Sequence, residues 1–532
     1  MIPQTRVVYA TSIDRVIHAA SLMQRDFGWE PVYWLASARA APRISELFPD
    51  VLVHDYLQSV KGVWHASFAS DAYTGVDMDF VREHSREISA ASYMLERNNS
   101  IARDLTMRER MEFIYQLIAY WTGVLGTLTP NLVIFEEEPH QASDYLLYTV
   151  AKHQNINILM PIRTMPEWGF LLSHGYDEEP LIDIHGPMHE EPLSENPIPE
   201  YITRYRDMFR ASWAEAQKAM FWDQLDRHAS RPQLVRRLLR LLDSGRAMTR
   251  RWSLARQYVG NFRSFHSDQK EKGKSLQESQ LSYFAYLSAK IKTSRAKKRN
   301  CAAYDRRALP PRLDKPFVYL ALSYQPEKST SPNGDEFVHQ LLAVRMLSAS
   351  LPVGWQLIVR EHPSQFIPSY SRHYGEIFRD ASYYESILGF ENTVLASMNS
   401  DPYELMDKAE AVASVGGSSC FEALVRGRRA LLFGHAWYIG CPGLSVIRTT
   451  ADIQRALTTP CPVVPEHDRA LDHYFGKLGR SVYRAPTAIG DAPMFAQSHA
   501  MDEYVRSYRD FHQNFLALHA SASAGTVTGP SE

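Results

Sequence analysis

Three short stretches hold residue types that can handle an oxygen-rich ligand: "GGSS" at 416–419, "REHP" at 360–363 and "EEEPHQ" at 136–141. The glycine pair lets backbone approach a ligand closely. Ser418 and Ser419 would then stand with N–H groups at a helix N-terminus, a place suited to an anion. Arg360 and His362 can both donate to phosphate oxygens. The loop "SYQPEKSTSPNG" at 323–334 adds hydroxyls at Ser329, Thr330 and Ser331. Glu422 falls one turn into the helix after Ser418, where a carboxylate can accept from a ribose hydroxyl pair. Each feature alone has a plainer explanation. A Gly-Gly-Ser-Ser turn can be an N-cap, Pro after a strand is punctuation, and a lone His is often a satisfied surface residue. Three such loops at strand ends of one parallel sheet instead specify a nucleotide or phosphate site.

The elements that must position these loops follow from periodicity. In the first third, "RVVYA", "PVYWLA", "VLVHDY", "LVIFEE" and "INILMP" read as strands. Between them, "DRVIHAASLMQRDFG" and "QASDYLLYTVAKHQ" carry helical spacing. The alternation resumes at 316 with "PFVYLAL", "GWQLIVREHP", "NTVLAS", "AVASVG" and "RALLFG" as strands, and "GDEFVHQLLAVRMLSAS", "DPYELMDKA" and "SSCFEALVRG" as helices. Strands alternating with helices predict parallel sheets covered on both faces. Four segments result: an N-terminal Rossmann-like domain at 1–185, a basic helical insert at 186–312, a second Rossmann-like domain at 313–465, and C-terminal helices with a frayed tail at 466–532. The fold class is α/β, with a cleft between two domains as the place for ligands.

Composition sets the outer limits. A chain of 532 residues exceeds one hydrophobic core. No leader-like N-terminus and no membrane-length apolar run is evident, so a cytoplasmic protein is expected. Cys301, Cys420, Cys441 and Cys461 lack paired spacing, which speaks against a cysteine zinc site or a disulfide framework. Residues 231–310 carry 20 Lys and Arg against 5 Asp and Glu, while the whole chain has a net charge of −2. A basic block on an acidic body suggests an anionic neighbour. "RRLLRLL" and "KIKTSRAKKR" point to the anionic inner face of a membrane, with attachment through Arg236, Arg237, Arg240, Lys297, Lys298 and Arg299. No nucleic-acid recognition motif accompanies the charge.

"LIVREHP", followed some fifty residues later by "VASVGGSSCFEALVRGRRALLFG" and "WY", resembles the C-terminal half of bacterial capsule polysaccharide glycosyltransferases, the Kdo transferases that use CMP-Kdo among them. The resemblance spans about 315–440, and the basic insert departs from it. It implies the GT-B architecture, with a nucleotide-sugar donor bound mostly by the second domain. His362 and Pro363 would match a His-Pro motif at the donor phosphate, and Ser418 and Ser419 a paired-hydroxyl motif. Similarity to the wider GT-B clan puts Glu422 on the donor ribose. Arg360, Gly417, Gln325, Glu327 and Ser329 complete the expected donor-binding set.

The first domain is then expected to hold the acceptor and supply the base. A strand running outward into three glutamates needs a reason, because burying them unpaired is costly. Removing a proton from an acceptor hydroxyl requires a carboxylate or imidazole, which makes Glu138 and His140 the first candidates and Glu137 the next. Arg163 and Glu167, at the next strand end, could bind an acidic acceptor sugar. "DMD" at 77–79 matches the metal-binding triplet of the other glycosyltransferase fold, but chance supplies about one such triplet in a chain this long. No cofactor and no metal are expected. The function expected is transfer of a sugar, CMP-linked such as CMP-Kdo, to a glycan or lipid-linked acceptor of a surface polysaccharide. The alternatives are a CDP-polyol phosphotransferase of the teichoic acid kind, a GT-B-like sugar-nucleotide epimerase, and a non-catalytic capsule-export binding protein.

Overall fold

A computed structural model describes residues 5–68, 76–98, 106–165, 169–180, 198–219, 295–325, 327–366, 378–459, 464–486 and 497–525. The apolar runs of the first third become strands β1 (Arg6–Ala10), β2 (Glu30–Ala36), β3 (Leu52–Asp55), β4 (Leu132–Phe135) and β5 (Asn157–Arg163), joined by β6 (Phe170–Ser173). Their order is β3-β2-β1-β4-β5-β6, parallel except for the antiparallel β5–β6 edge. Strands β7 (Phe317–Ala321), β8 (Gln356–Arg360), β9 (Thr393–Leu395), β10 (Ala411–Ser414), β11 (Ala430–Leu432) and β12 (Leu444–Val446) form a second sheet. Its order is β12-β11-β10-β7-β8-β9, parallel throughout. Each sheet thus reverses direction beside its first strand, the arrangement of a Rossmann-type fold with its ligand crevice at the carboxyl ends of the strands.

Both faces of each sheet are buried, as an apolar run in a parallel strand demands. On the first sheet, Val8, Tyr33 and Val133 point toward helices Met107–Leu128 and Ala142–His153. Val7, Tyr9, Trp34 and Ile134 point the other way, toward helix Asp14–Phe27 and the last helix, Gln497–Gly525. Tyr9 stacks on Trp34 with ring centroids 4.2 Å apart. The second sheet divides likewise between Val318, Leu320 and Val359 on one face and Tyr319, Ile358 and Val412 on the other.

The chain crosses between the domains more than once. Helices Glu200–Arg210 and Trp213–Ala219 pack on the second domain, and Phe209 and Phe421 meet edge to face with centroids 6.0 Å apart. Phe170 and Tyr483 exchange backbone bonds of 3.0 and 2.9 Å. A Cβ at neighbouring Gly169, with φ +110°, would lie 2.0 Å from the Tyr483 carbonyl oxygen, so only glycine fits that crossing. The last helix then returns to the first domain, where Trp29 Nε1 donates to His512 Nδ1 at 3.0 Å.

Two expectations change here. Residues 220–294 of the basic insert, with Arg236, Arg237 and Arg240, lie outside the described residues. Its described end, helical over 295–305, belongs with the second domain: Tyr304 is fully buried, and Leu309 pairs with β9 through 2.9 Å bonds to Leu395 and Ser397. Lys297 is only 1% exposed, with its ammonium 5.9 Å from the Tyr324 ring centroid, so it cannot present charge to a surface. The Asp77–Asp79 triplet caps a helix, with Asp77 Oδ1 accepting from the Asp79 N–H at 2.8 Å.

Candidate active site at two sheet edges

The Gly-Gly-Ser-Ser turn follows β10, and its glycines have different reasons. A Cβ at Gly416 would stand 2.4 Å from the Ser329 carbonyl oxygen, so this glycine admits the 327–334 loop. A Cβ at Gly417 would make only ordinary contacts, 3.4 Å or more from Ser414 and Ser323. The Tyr438 hydroxyl donates to the Gly417 carbonyl at 2.6 Å and fixes the turn. Ser418 begins helix Ser419–Val425 and donates to Glu422 Oε1 at 2.7 Å. Burial raises the Glu422 carboxyl above its ordinary range, against opposing contributions from Ser418, Tyr403 and Arg426. The hydroxyl and carboxylate expected at a donor phosphate and ribose therefore stand side by side.

His362 leaves β8 as the N-cap of a short turn, Pro363–Gln365, with Pro363 at a position that needs no N–H. Its Nδ1 accepts from the Ser364 N–H at 3.2 Å, so the neutral ring carries its proton on Nε2. Burial, with Arg360 and Arg379 nearby, lowers its pKa to about 3, so the ring is a neutral donor near pH 7. Beneath it lies a network that sequence reasoning missed. Glu361 Oε1 accepts from the His362 N–H at 2.8 Å, while Oε2 accepts from Arg379 Nε at 2.6 Å and from Tyr384 at 3.0 Å. Arg379 also donates to Gln325 Oε1 at 2.6 Å, and Gln340 Nε2 donates to the same oxygen at 3.1 Å.

Gln325 is thus not a displayed ligand contact. It is 3% exposed and its amide is engaged by Arg379, Gln340 and the Val338 carbonyl. Arg360 is also turned inward: 8% exposed, beside Tyr319, and donating to the Met398 carbonyl at 3.2 Å. Glu327 and Ser329 bond to each other at 3.0 Å within the loop after β7.

On the first sheet, fully buried β4 delivers Glu136, Glu137 and Glu138 in succession. Glu136 turns back, accepting from the Ser12 N–H at 2.7 Å and Thr11 at 3.1 Å. Glu137 and Glu138 reach Lys328 of the second domain at 3.5 and 2.7 Å. Burial would raise the Glu137 carboxyl, but Lys328, His140 and Arg163 hold it below its usual range. Burial would lower the Lys328 ammonium, and Glu138 and Glu137 raise it instead. His140 Nδ1 donates to the Glu138 carbonyl at 3.1 Å, which leaves the lone pair of the neutral ring on Nε2. That tautomer is opposite to His362. Arg163 ends β5 within electrostatic reach of Glu137 and Lys328. Glu167 lies outside the described residues.

Lys328 is the member of this cluster that sequence reading passed over. Its one signal was a lone cation in a hydroxyl-rich loop after a buried strand. A second junction, equally unmarked, joins Asp335 Oδ2 to His435 Nε2 at 2.5 Å, with Arg86 of the first domain 3.7 Å from the same oxygen.

A model of the family described as capsule polysaccharide biosynthesis protein matches residues 280–471. No curated protein matches the chain. Among solved structures, the beta Kdo 2,7 and beta Kdo 2,4 transferases of Thermosulfurimonas dismutans KpsC match at 19% and 13% identity, with TM-scores of 0.20 and 0.21. They cover 35% and 43% of this chain, which spans only 56% and 65% of theirs. A glycosyltransferase from Rickettsia africae matches at 8% identity and a TM-score of 0.23, over 97% of this chain and 99% of its own. TM-scores this low carry no argument, and the architecture rests on the strand order above. The family match contains the whole second sheet and the stretch whose motifs carried the resemblance. The likeness to the capsule polysaccharide biosynthesis proteins is therefore one of residues 280–471.

Proposed function

We propose that the protein is a GT-B glycosyltransferase of bacterial surface polysaccharide assembly, working from a nucleotide-sugar donor, CMP-linked such as CMP-Kdo. The observation that carries this reading is Lys328, which joins the carboxyl edges of both sheets by pairing with Glu138 at 2.7 Å. On its own domain lie proton donors suited to a phosphate, His362 Nε2–H and Ser418. On the other lie acceptors suited to a sugar hydroxyl, Glu138, Glu137 and His140. In this reading the donor phosphate draws Lys328 away from the carboxylates. Glu137 and Glu138 then lose their counter-charge, and each becomes a stronger base beside the other. Glu138, or His140 through Nε2, takes the acceptor proton as the glycosyl bond to phosphate breaks and the bond to the acceptor oxygen forms.

Nucleotide screening tests it directly. CMP and CMP-sugars should raise the melting temperature more than CDP, UDP or GDP ligands, and His362→Ala should erase that rise while the fold persists. Preference for UDP ligands would point to the epimerase alternative, and the absence of donor hydrolysis to a binding protein. The reading also includes cytoplasmic location and attachment to anionic lipid through 231–310. No helix among the described residues is long and apolar enough to cross a membrane. Replacing Arg236, Arg237, Arg240, Lys298 and Arg299 by Gln should release the protein from anionic vesicles in co-sedimentation. Unchanged binding would assign those charges to the fold.

A further inference from the structure

Outside the cleft, Glu83, His84 and His153 bring three metal-ligating atoms to one point. His84 Nε2 stands 3.1 Å from His153 Nδ1. Glu83 Oε2 stands 3.4 Å from His153 Nδ1 and 3.9 Å from His84 Nε2. Ligands held about 2.0–2.2 Å from a tetrahedral zinc ion lie about 3.3–3.6 Å from one another. The three measured edges bracket that range, so small side-chain rotations would seat an ion. An imidazole–imidazole hydrogen bond accounts for one edge, and the two edges to Glu83 are ion pairs only when a ring is protonated.

The surroundings are those of a supported site. Phe80 packs against both imidazoles, with centroids 4.5 Å from His84 and 4.8 Å from His153, and the two rings stand at 81°. Glu87 Oε2 lies 3.8 Å from the other nitrogen of His84, where a carboxylate orients a metal-bound imidazole and sets its tautomer. We infer that Glu83, His84 and His153 bind zinc, with Glu87 orienting His84 and a water completing the tetrahedron. Two imidazoles and a carboxylate suit zinc better than magnesium or calcium, which take oxygen ligands. The ion would not meet the proposed reacting groups, because His153 is roughly 17 Å along its helix from the end beside His140. It would instead fix the start of helix Ser85–Asn98, whose Arg86 reaches Asp177 at 3.5 Å and Asp335 of the second domain at 3.7 Å.

The test uses full-length protein, stripped by chelator and titrated with Zn²⁺ or Co²⁺. One equivalent of zinc should bind, and Co²⁺ should give the intense visible absorption of four-coordination. Glu83→Gln should weaken zinc binding tenfold or more. That side chain is 64% exposed, so the fold should survive, as circular dichroism can verify. Glu87→Gln should cost about 10- to 100-fold, and the His84→Ala/His153→Ala double variant should abolish binding. Equal zinc affinity in wild type and the double variant, or a six-coordinate Co²⁺ spectrum, overturns the assignment.

Discussion

On the second domain's side of the cleft, His362 rests on Glu361, Arg379, Gln325 and Gln340, all buried and bonded to one another. On the first domain's side, Glu137 has His140 and Arg163 nearby, but the closest partner of Glu137 and Glu138 is a cation borrowed from the other domain. One edge is organised before any ligand arrives, and the other depends on how the domains meet. The glycosyl transfer proposed above would use that asymmetry, holding its donor firmly and releasing its base only when the donor is present.

The largest effects should come from breaking the organised edge. Arg379→Ala would leave the Glu361 carboxylate buried without its partner, and the loss should be about 3–5 kcal/mol in urea unfolding. Replacing both, as Arg379→Met with Glu361→Leu, should recover most of the stability but not donor affinity, because the His362 N–H loses its acceptor. A single variant as stable as wild type would show that the pair does not hold the edge.

The first domain has a buried polar cluster too, but a neutral one. Tyr33 donates to His54 Nδ1 at 2.6 Å, and His54 Nε2 donates to the Val63 carbonyl at 2.9 Å. Burial lowers the His54 pKa from 6.5 to about 4. The unfolded chain therefore binds a proton more readily than the folded one between those values. The stabilisation is complete above about pH 6.5 and is lost as pH falls toward 4, on the order of 3 kcal/mol in all. His54→Gln should flatten the stability profile between pH 4 and 6.5, whatever it costs at pH 7.5. An unchanged slope would assign the acid sensitivity to other groups.

This comparison also shows what the sequence could reveal. The described central strands were legible because a parallel strand buried on both faces must be an unbroken apolar run, as LVIF in β4 and FVYLA in β7 are. Strands β6 and β12 were missed: β6 is a return strand after a short loop, and β12 is a three-residue edge strand that is only partly buried. Helix Met107–Leu128 was missed as well, although Thr106 and Glu109 form its capping box. At the site, the placement of Glu138, His140, His362, Ser418 and Glu422 just past strand ends was legible, because the apolar run of each strand marks where it stops. Arg379, Gln340 and Lys328 were not. Their roles come from contacts 18, 15 and about 190 residues away, and nothing in local spacing encodes those. Arg360 and Gln325 misled for the converse reason. Their chemistry fits a phosphate, but strand parity and loop packing turn them inward.

A smaller effect should separate base from scaffold on the dependent edge. Glu138→Gln should lower turnover by roughly 10² with donor affinity near wild type. Normal turnover in that variant would pass the role to His140, whose Nε2 lone pair makes it the next candidate.

The sharpest probe of the asymmetry lies in Lys328→Met. Lys328 is 22% exposed, but its closer partner Glu138 is only 5% exposed, so losing the ammonium leaves a buried carboxylate without it and should cost stability, less than at the fully buried Arg379–Glu361 pair. Its effect on catalysis is the more diagnostic. If Lys328 moves to the donor phosphate, the variant's KM for donor should rise about tenfold. The free enzyme should also change its titration. Lys328 holds Glu137 below the usual carboxylate range, so its removal lets that carboxyl rise. The acid limb of kcat/KM should therefore move to higher pH. A merely structural lysine would move neither the limb nor KM. A pH profile that superimposes on wild type would leave the two edges uncoupled, with Lys328 as an interdomain tether and the base set by Glu138 and His140 alone.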